Sequence, residues 1–133
     1  MPEQRRVRFL RLSVEDLPDN RLSARVELEW LGVTYQGTAD VVWQEDAEFI
    51  CAAKATCSAL EAVLQRAPVS FEYLKCEPTT AVGRSLAVAA VSVEAKDGAQ
   101  YTVGVCPIGD DPADAAVRAV LSATNREVSR LLS

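Results

Sequence analysis

Histidine does not occur in this chain. Its absence removes the side chain that most often serves as general base and as metal ligand near neutral pH. A Ser-His-Asp or Cys-His arrangement within one chain is thereby excluded. No G-x-x-x-x-G-K-[ST] or G-x-G-x-x-G pattern is present, so no nucleotide cradle is indicated. Basic residues are in the minority, 14 against 19 acidic, for a net charge of −5. The densest basic stretch, Arg5-Arg6-Val7-Arg8, is too short to track a phosphate backbone. Nucleic acid is therefore not an expected partner. No apolar run reaches the roughly 18 residues needed to span a bilayer. Met1 to Arg8 lacks the apolar core of a secretory signal. The expectation is a cytoplasmic protein with no membrane partner and with reduced cysteines. Close cysteine pairs are also missing: Cys51, Cys57, Cys76 and Cys106 come no nearer than six residues apart, where zinc sites favour C-x₂-C. The four read as small buried hydrophobes, with no metal and no cofactor expected.

What is present is a statement made twice. Phe9-Leu10-Arg11 is echoed by Tyr73-Leu74-Lys75, and Ala24 to Glu29 by Ala89 to Glu94. Tyr35 is echoed by Tyr101, and Glu45-Asp46 by Asp111-Pro112, at offsets between 64 and 66 residues. Two copies are too few for a solenoid and point to two similar units packed about a pseudo-two-fold axis. With 133 residues, 49% of them hydrophobic and 25% charged, the chain suits one domain, 1–133, built from repeats at about 5–66 and 69–132. A chain this long buries roughly 68% of its unfolded surface, enough for a core without staples.

Each copy reads as three strands and a helix. Val7 to Val14 forms a first strand, and Leu17-Pro18-Asp19-Asn20 a turn. Ala24, Val26, Leu28 and Trp30 alternate with charged residues; after Leu31-Gly32, Val33, Tyr35, Gly37, Ala39 and Val41 alternate with polar ones. That period of two marks a half-buried hairpin. From Asp46 the period becomes helical, with Phe49, Ile50, Ala53, Cys57, Leu60 and Leu64 on one stripe and Pro68 beyond the end. In the second copy Val69, Phe71 and Tyr73 alternate, Pro78-Thr79-Thr80 and Gly83 break the chain, and Leu86 to Ala95 is apolar on both faces. Asp97-Gly98 predicts a type I′ hairpin turn. Asp111 is a candidate N-cap with Pro112 at the first helical position.

The pattern predicts an α+β fold: duplicated βββα units forming one six-stranded, mostly antiparallel sheet, with both helices on one face. The other face is solvated or is an interface. Leu86, Val88 and Ala90 give it little polarity, which favours a homodimer contact over a cover of loops.

Chemistry-bearing candidates fall where strand meets helix. Glu45, Asp46 and Glu48, and Asp110, Asp111 and Asp114, sit at helix starts, where capping and the helix dipole account for them without catalysis. Gly104 to Gly109 leads into the last helix, whose free N–H groups can hold an anion, although Asp110 opposes one. Trp43 stands beside the first junction as a candidate pocket wall, while Trp30 and the matched tyrosines fit the inward face. Candidate ligand-binding residues are therefore Trp43, Glu45 and Asp46 in one copy and Gly104, Gly109 and Asp110 in the other.

Val91-Ser92-Val93-Glu94, Asp97-Gly98 and Tyr101 to Val105, leading into an alanine-rich helix, together with Leu12 to Val14, Ala24 to Glu29 and Gly32, resemble the C-terminal regulatory (dimer) domain of 2-isopropylmalate synthase and citramalate synthase. The family's glycine-rich loop falls near Val41 to Asp46, which here reads V-V-W-Q-E-D. The resemblance implies the βββα duplication, dimer contacts and binding of a small metabolite as a feedback effector; no catalytic barrel accompanies it. The expected function is a non-catalytic small-ligand-binding or regulatory module that self-associates. The alternatives are a pure interaction or scaffold domain, and after it a small carboxylate-based enzyme. Function is expected where the copies diverge.

Overall fold

The computed structural model describes residues 6–132; Arg5 of the basic stretch lies outside them. The chain runs β1 (Arg8–Leu17), β2 (Arg21–Trp30), β3 (Val33–Val42), α1 (Ala47–Val63), β4 (Ser70–Ala81), β5 (Arg84–Ala95), β6 (Gly98–Pro107) and α2 (Pro112–Leu132). The α+β class and the duplicated βββα order are as expected. The six strands, however, form two antiparallel three-stranded sheets, β1-β2-β3 and β4-β5-β6, and not one continuous sheet. No strand of one unit pairs with a strand of the other among the described residues. Side chains make the join: α1 packs on β2 and β3 and also on β4, α2 packs on β5 and β6 and touches β1, and the helices pack on each other.

Both copies use the same devices. Phe9-Leu10-Arg11 and Tyr73-Leu74-Lys75 each carry a break in register, a β-bulge in the first strand of the unit. The aromatic residue beside each bulge lies under a cation of the other unit's helix: Lys54 sits 5.5 Å from the Tyr73 ring and Arg118 5.1 Å from the Phe9 ring. In each third strand a glycine lets the unit's helix approach to backbone contact. A Cβ on Gly37 would collide with the backbone of Ala55 and Ala59, and one on Gly104 with that of Ala119 and Ala123. These glycine–alanine contacts bring β2, β5 and both helices into one hydrophobic core, with Val26, Leu28, Leu60, Val91, Val93, Val117 and Val120 at its centre.

Three local expectations are corrected. Pro78 does not break the chain; β4 continues through it to Ala81, as an edge strand tolerates a missing N–H. The β5–β6 loop is Lys96-Asp97, with Gly98 at φ 127° and neither loop residue at positive φ, so the type I′ turn is absent there. The β2–β3 loop does have both central residues, Leu31 and Gly32, at positive φ. Finally, α1 is buried well beyond its predicted stripe, at Cys51, Ala52, Ala55, Thr56, Ala59 and Val63, because β4 and α2 cover sides that one sheet would leave open.

Candidate functional site

The outer face of each sheet, turned away from the helices, follows from strand register. In the first sheet, Arg21, Ser23, Arg25, Glu27 and Glu29 of β2 lie opposite Val42, Asp40, Thr38, Gln36 and Thr34 of β3. Ion pairs cross this face: Arg8–Glu29 at 2.9 Å, Arg11–Glu27 at 3.8 Å and Arg21–Asp40 at 3.4 Å. In the second sheet, Leu86, Val88, Ala90 and Ser92 lie opposite Pro107, Val105, Val103 and Tyr101. Tyr101 is 70% exposed, Val103 54% and Val105 49%. On the far side of β5, Lys75 lies opposite Ala90 and Glu77 opposite Val88, and the two charges are 3.7 Å apart. The expected interface residues Leu86, Val88 and Ala90 are thus one row of a broader apolar band.

The β6 half of that band departs from the expectation that Tyr101, like Tyr35, faces inward. Tyr35 pairs with buried Leu28 on the inner face, whereas Tyr101 pairs with Ser92 on the outer face. Inward residues of β3 are odd-numbered and those of β6 even-numbered, so an echo at an offset of 66 turns the side chain over.

The candidate ligand residues scatter into structural roles. The Trp43 indole N–H donates to Asp16 Oδ1 at 3.2 Å and its backbone N–H to the Asn20 carbonyl at 2.8 Å, bracing the β1–β2 loop. Glu45 is exposed. Asp46 takes φ 65° at the start of α1, and its side chain forms no capping bond, contrary to the capping expected there. Asp111 does cap α2: its Oδ1 accepts from the N–H groups of Ala113 at 3.1 Å and Asp114 at 3.3 Å. Gly104 is buried within β6 beneath α2, a position a packed backbone occupies, while Gly109 and Asp110 are exposed ahead of the helix.

Three of the four thiols, Cys51, Cys57 and Cys76, are buried as expected, whereas Cys106 is only half-buried. Burial pushes Cys51 up to about 11, with the Asp40 charge adding to it. Burial pushes Cys57 and Cys76 up to about 12, reinforced by Glu61 and by Asp46 respectively. Cys51 Sγ also donates to the Ala39 carbonyl at 3.1 Å. A thiol held protonated is a poor nucleophile. Among the described residues no three of Cys, Asp or Glu converge to hold a metal, and no helix is long and apolar enough to cross a membrane.

A cavity of about 540 Å³ opens where both helices end, a site that no sequence motif marks. The hairpin residues Trp30 and Tyr35 wall one side; Val63 and Leu64 of α1, Leu131 and Leu132 of α2, and Gln65 to Ala67 complete it. The Trp30 indole N–H is buried with no acceptor among the described residues.

Compared with protein-family models and with curated proteins, the chain matches none.

Proposed function

We propose that this chain is a non-catalytic, small-ligand-binding module that self-associates through the outer face of its second sheet. The apolar band of Leu86, Val88, Ala90, Val103, Val105 and Tyr101 carries the reading. Tyr101, Val103 and Val105 form its exposed part, and contiguous apolar surface of this kind is often functional. A standard interface takes about 800 Å² from each partner, so the polar rim supplies the rest. The rim favours a second copy over an unrelated partner. Lys75 and Glu77 stand two residues apart on one face of an edge strand, so a two-fold axis that runs β4 antiparallel to its copy sets Lys75 against Glu77. The resemblance to regulatory dimer domains points the same way. The missing histidine and the protonated thiols favour binding over chemistry.

Sedimentation or light scattering tests the reading. The wild-type chain is expected to dimerise, and Val103→Lys with Val105→Lys to leave a monomer with an unchanged circular dichroism spectrum and a Tm no longer dependent on protein concentration. A wild-type chain that stays monomeric at high concentration would sink it. The scaffold reading has no ligand, so a thermal-shift screen of small acids, amino acids and nucleotides separates the two: a ligand raises Tm by mass action.

A further inference from the structure

We infer that the cavity at the joined helix ends is the small-ligand site, and that its ligand is a monocarboxylate with an apolar body. The inference rests on the small-ligand half of the function proposed above and names its place and chemistry.

The volume, about 540 Å³, lies within the range of small-molecule sites. Its walls divide by chemistry. Val63, Leu64, Leu131 and Leu132 offer aliphatic surface at the ends of the two helices. Arg66 stands at the rim and forms no ion pair among the described residues, whereas Arg8, Arg11, Arg21, Arg118 and Arg130 are each bridged. Among the described residues no aspartate or glutamate lines the cavity, although the chain carries 19 of them and a net charge of −5. An unpaired guanidinium at such a wall selects an anion and binds a carboxylate with two parallel hydrogen bonds.

The charge of that anion is bounded. Two helix C-termini meet here, and each presents carbonyl groups with partial negative charge. One guanidinium against that field suits a single negative charge and disfavours a phosphate dianion. The aliphatic walls then require an apolar body, of roughly six to ten carbons for a site of this size. The Trp30 N–H adds a second sign of incompleteness. Buried donors without acceptors are rare in folded proteins, and a ligand oxygen reaching this one as the ring turns would satisfy it.

The chain has two tryptophans, so Trp43→Phe leaves Trp30 as the only indole reporter. Sodium octanoate titrated into that variant is expected to change Trp30 emission saturably, with octanol binding more weakly. Arg66→Leu should weaken octanoate at least about tenfold and leave octanol within about twofold, the signature of one charge-assisted contact. Arg66 is exposed, so the fold should survive the change. Ala67→Phe, which fills the cavity from its loop, should weaken both. The inference is overturned by the absence of saturable binding, by octanoate affinity indifferent to Arg66→Leu, or by binding lost on Val103→Lys with Val105→Lys, which would place the octanoate on the sheet face. Self-association is decided separately by sedimentation, so the two readings fail independently.

Discussion

The two sheets share an inner face and differ in their outer one. Inside, each has a bulged first strand, an apolar middle strand, a glycine in the third strand and a helix seated on that glycine. Outside, β2 presents Arg21, Ser23 and Arg25, where β5 presents Leu86, Val88 and Ala90. Inner faces must match a helix to backbone contact, so the copies agree there. Outer faces meet only what surrounds the molecule, and there the copies have gone separate ways. The difference teaches that the duplicated features carry the fold, while the unduplicated face is the place to look for a partner.

The largest effect should come from attacking what the sheets share. Gly37→Ala or Gly104→Ala places a Cβ against helix backbone that has no side chain to move aside. Each is expected to cost about 3 kcal/mol or more, by forced separation of sheet and helix. Denaturant unfolding measures both. A loss below about 1 kcal/mol at one glycine alone would show that its helix can shift, and that the copies are less alike inside than their geometry indicates.

Much of this inner pattern was legible in the sequence. The alternation from Ala24 to Trp30 names the buried face of β2, and Phe9-Leu10-Arg11 with its echo marks the duplication, although the bulge in each is visible only in the strand register. Asp111-Pro112 predicts the cap and first turn of α2. Other features were not legible, for identifiable reasons. Strand count does not say which strands pair, so two sheets joined by side chains read as one. Tyr101 was turned inward because residue identity was matched where register, which flips faces at every step, decides. Asp46 resembles a cap by type, but a cap also needs backbone geometry, and the residue sits at φ 65°. The cavity takes its walls from four separate segments, Trp30, Tyr35, Val63 to Ala67 and Leu131-Leu132, and has no local pattern at all.

A second asymmetry concerns how deeply each first strand is covered. Phe71 and Cys76 of β4 are buried under α1, whereas Val7 and Leu12, 64 residues earlier, are only half-buried beside α2. Burial holds Cys57 and Cys76 at about 12 and Cys51 at about 11, against an ordinary value of 9.0. Raised folded values mean that the native chain keeps protons that the unfolded chain releases. This stability is fully present below pH 9 and is lost as pH rises from there toward the folded values. At pH 10 the loss is expected to be on the order of 1 kcal/mol per thiol. Denaturant titrations at pH 7 and pH 10 check it. Cys76→Ala, which removes the ionisable thiol, should flatten the slope, while a slope unchanged by it would assign the effect elsewhere.

The helix starts sharpen the comparison at a smaller scale. Asp111→Ala removes an acceptor from two N–H groups and should cost about 1 kcal/mol. Asp46→Gly removes no capping bond and relieves a positive φ, so it should leave stability within about 0.5 kcal/mol of wild type or raise it slightly. Thermal unfolding of the pair distinguishes them. An equal loss from both would mean that Asp46 is held for its charge beside Cys76 and Tyr73 and not for its backbone.

The smallest change in stability belongs to the outer face of the first sheet, and it probes the comparison most directly. Arg25 and Thr38 face each other at the centre of that face, outside its three ion pairs. Arg25→Val with Thr38→Val should alter stability by no more than about 0.5 kcal/mol in either direction, as surface changes do. The informative readout is association, measured in the Val103→Lys, Val105→Lys background where the second face is silenced. If apolar surface is sufficient, this variant should recover a dimer through its first sheet. If it stays monomeric, apolarity alone does not make the contact. The charges of Lys75 and Glu77, which a two-fold axis sets against their copies, then become the part of the second sheet that selects another copy.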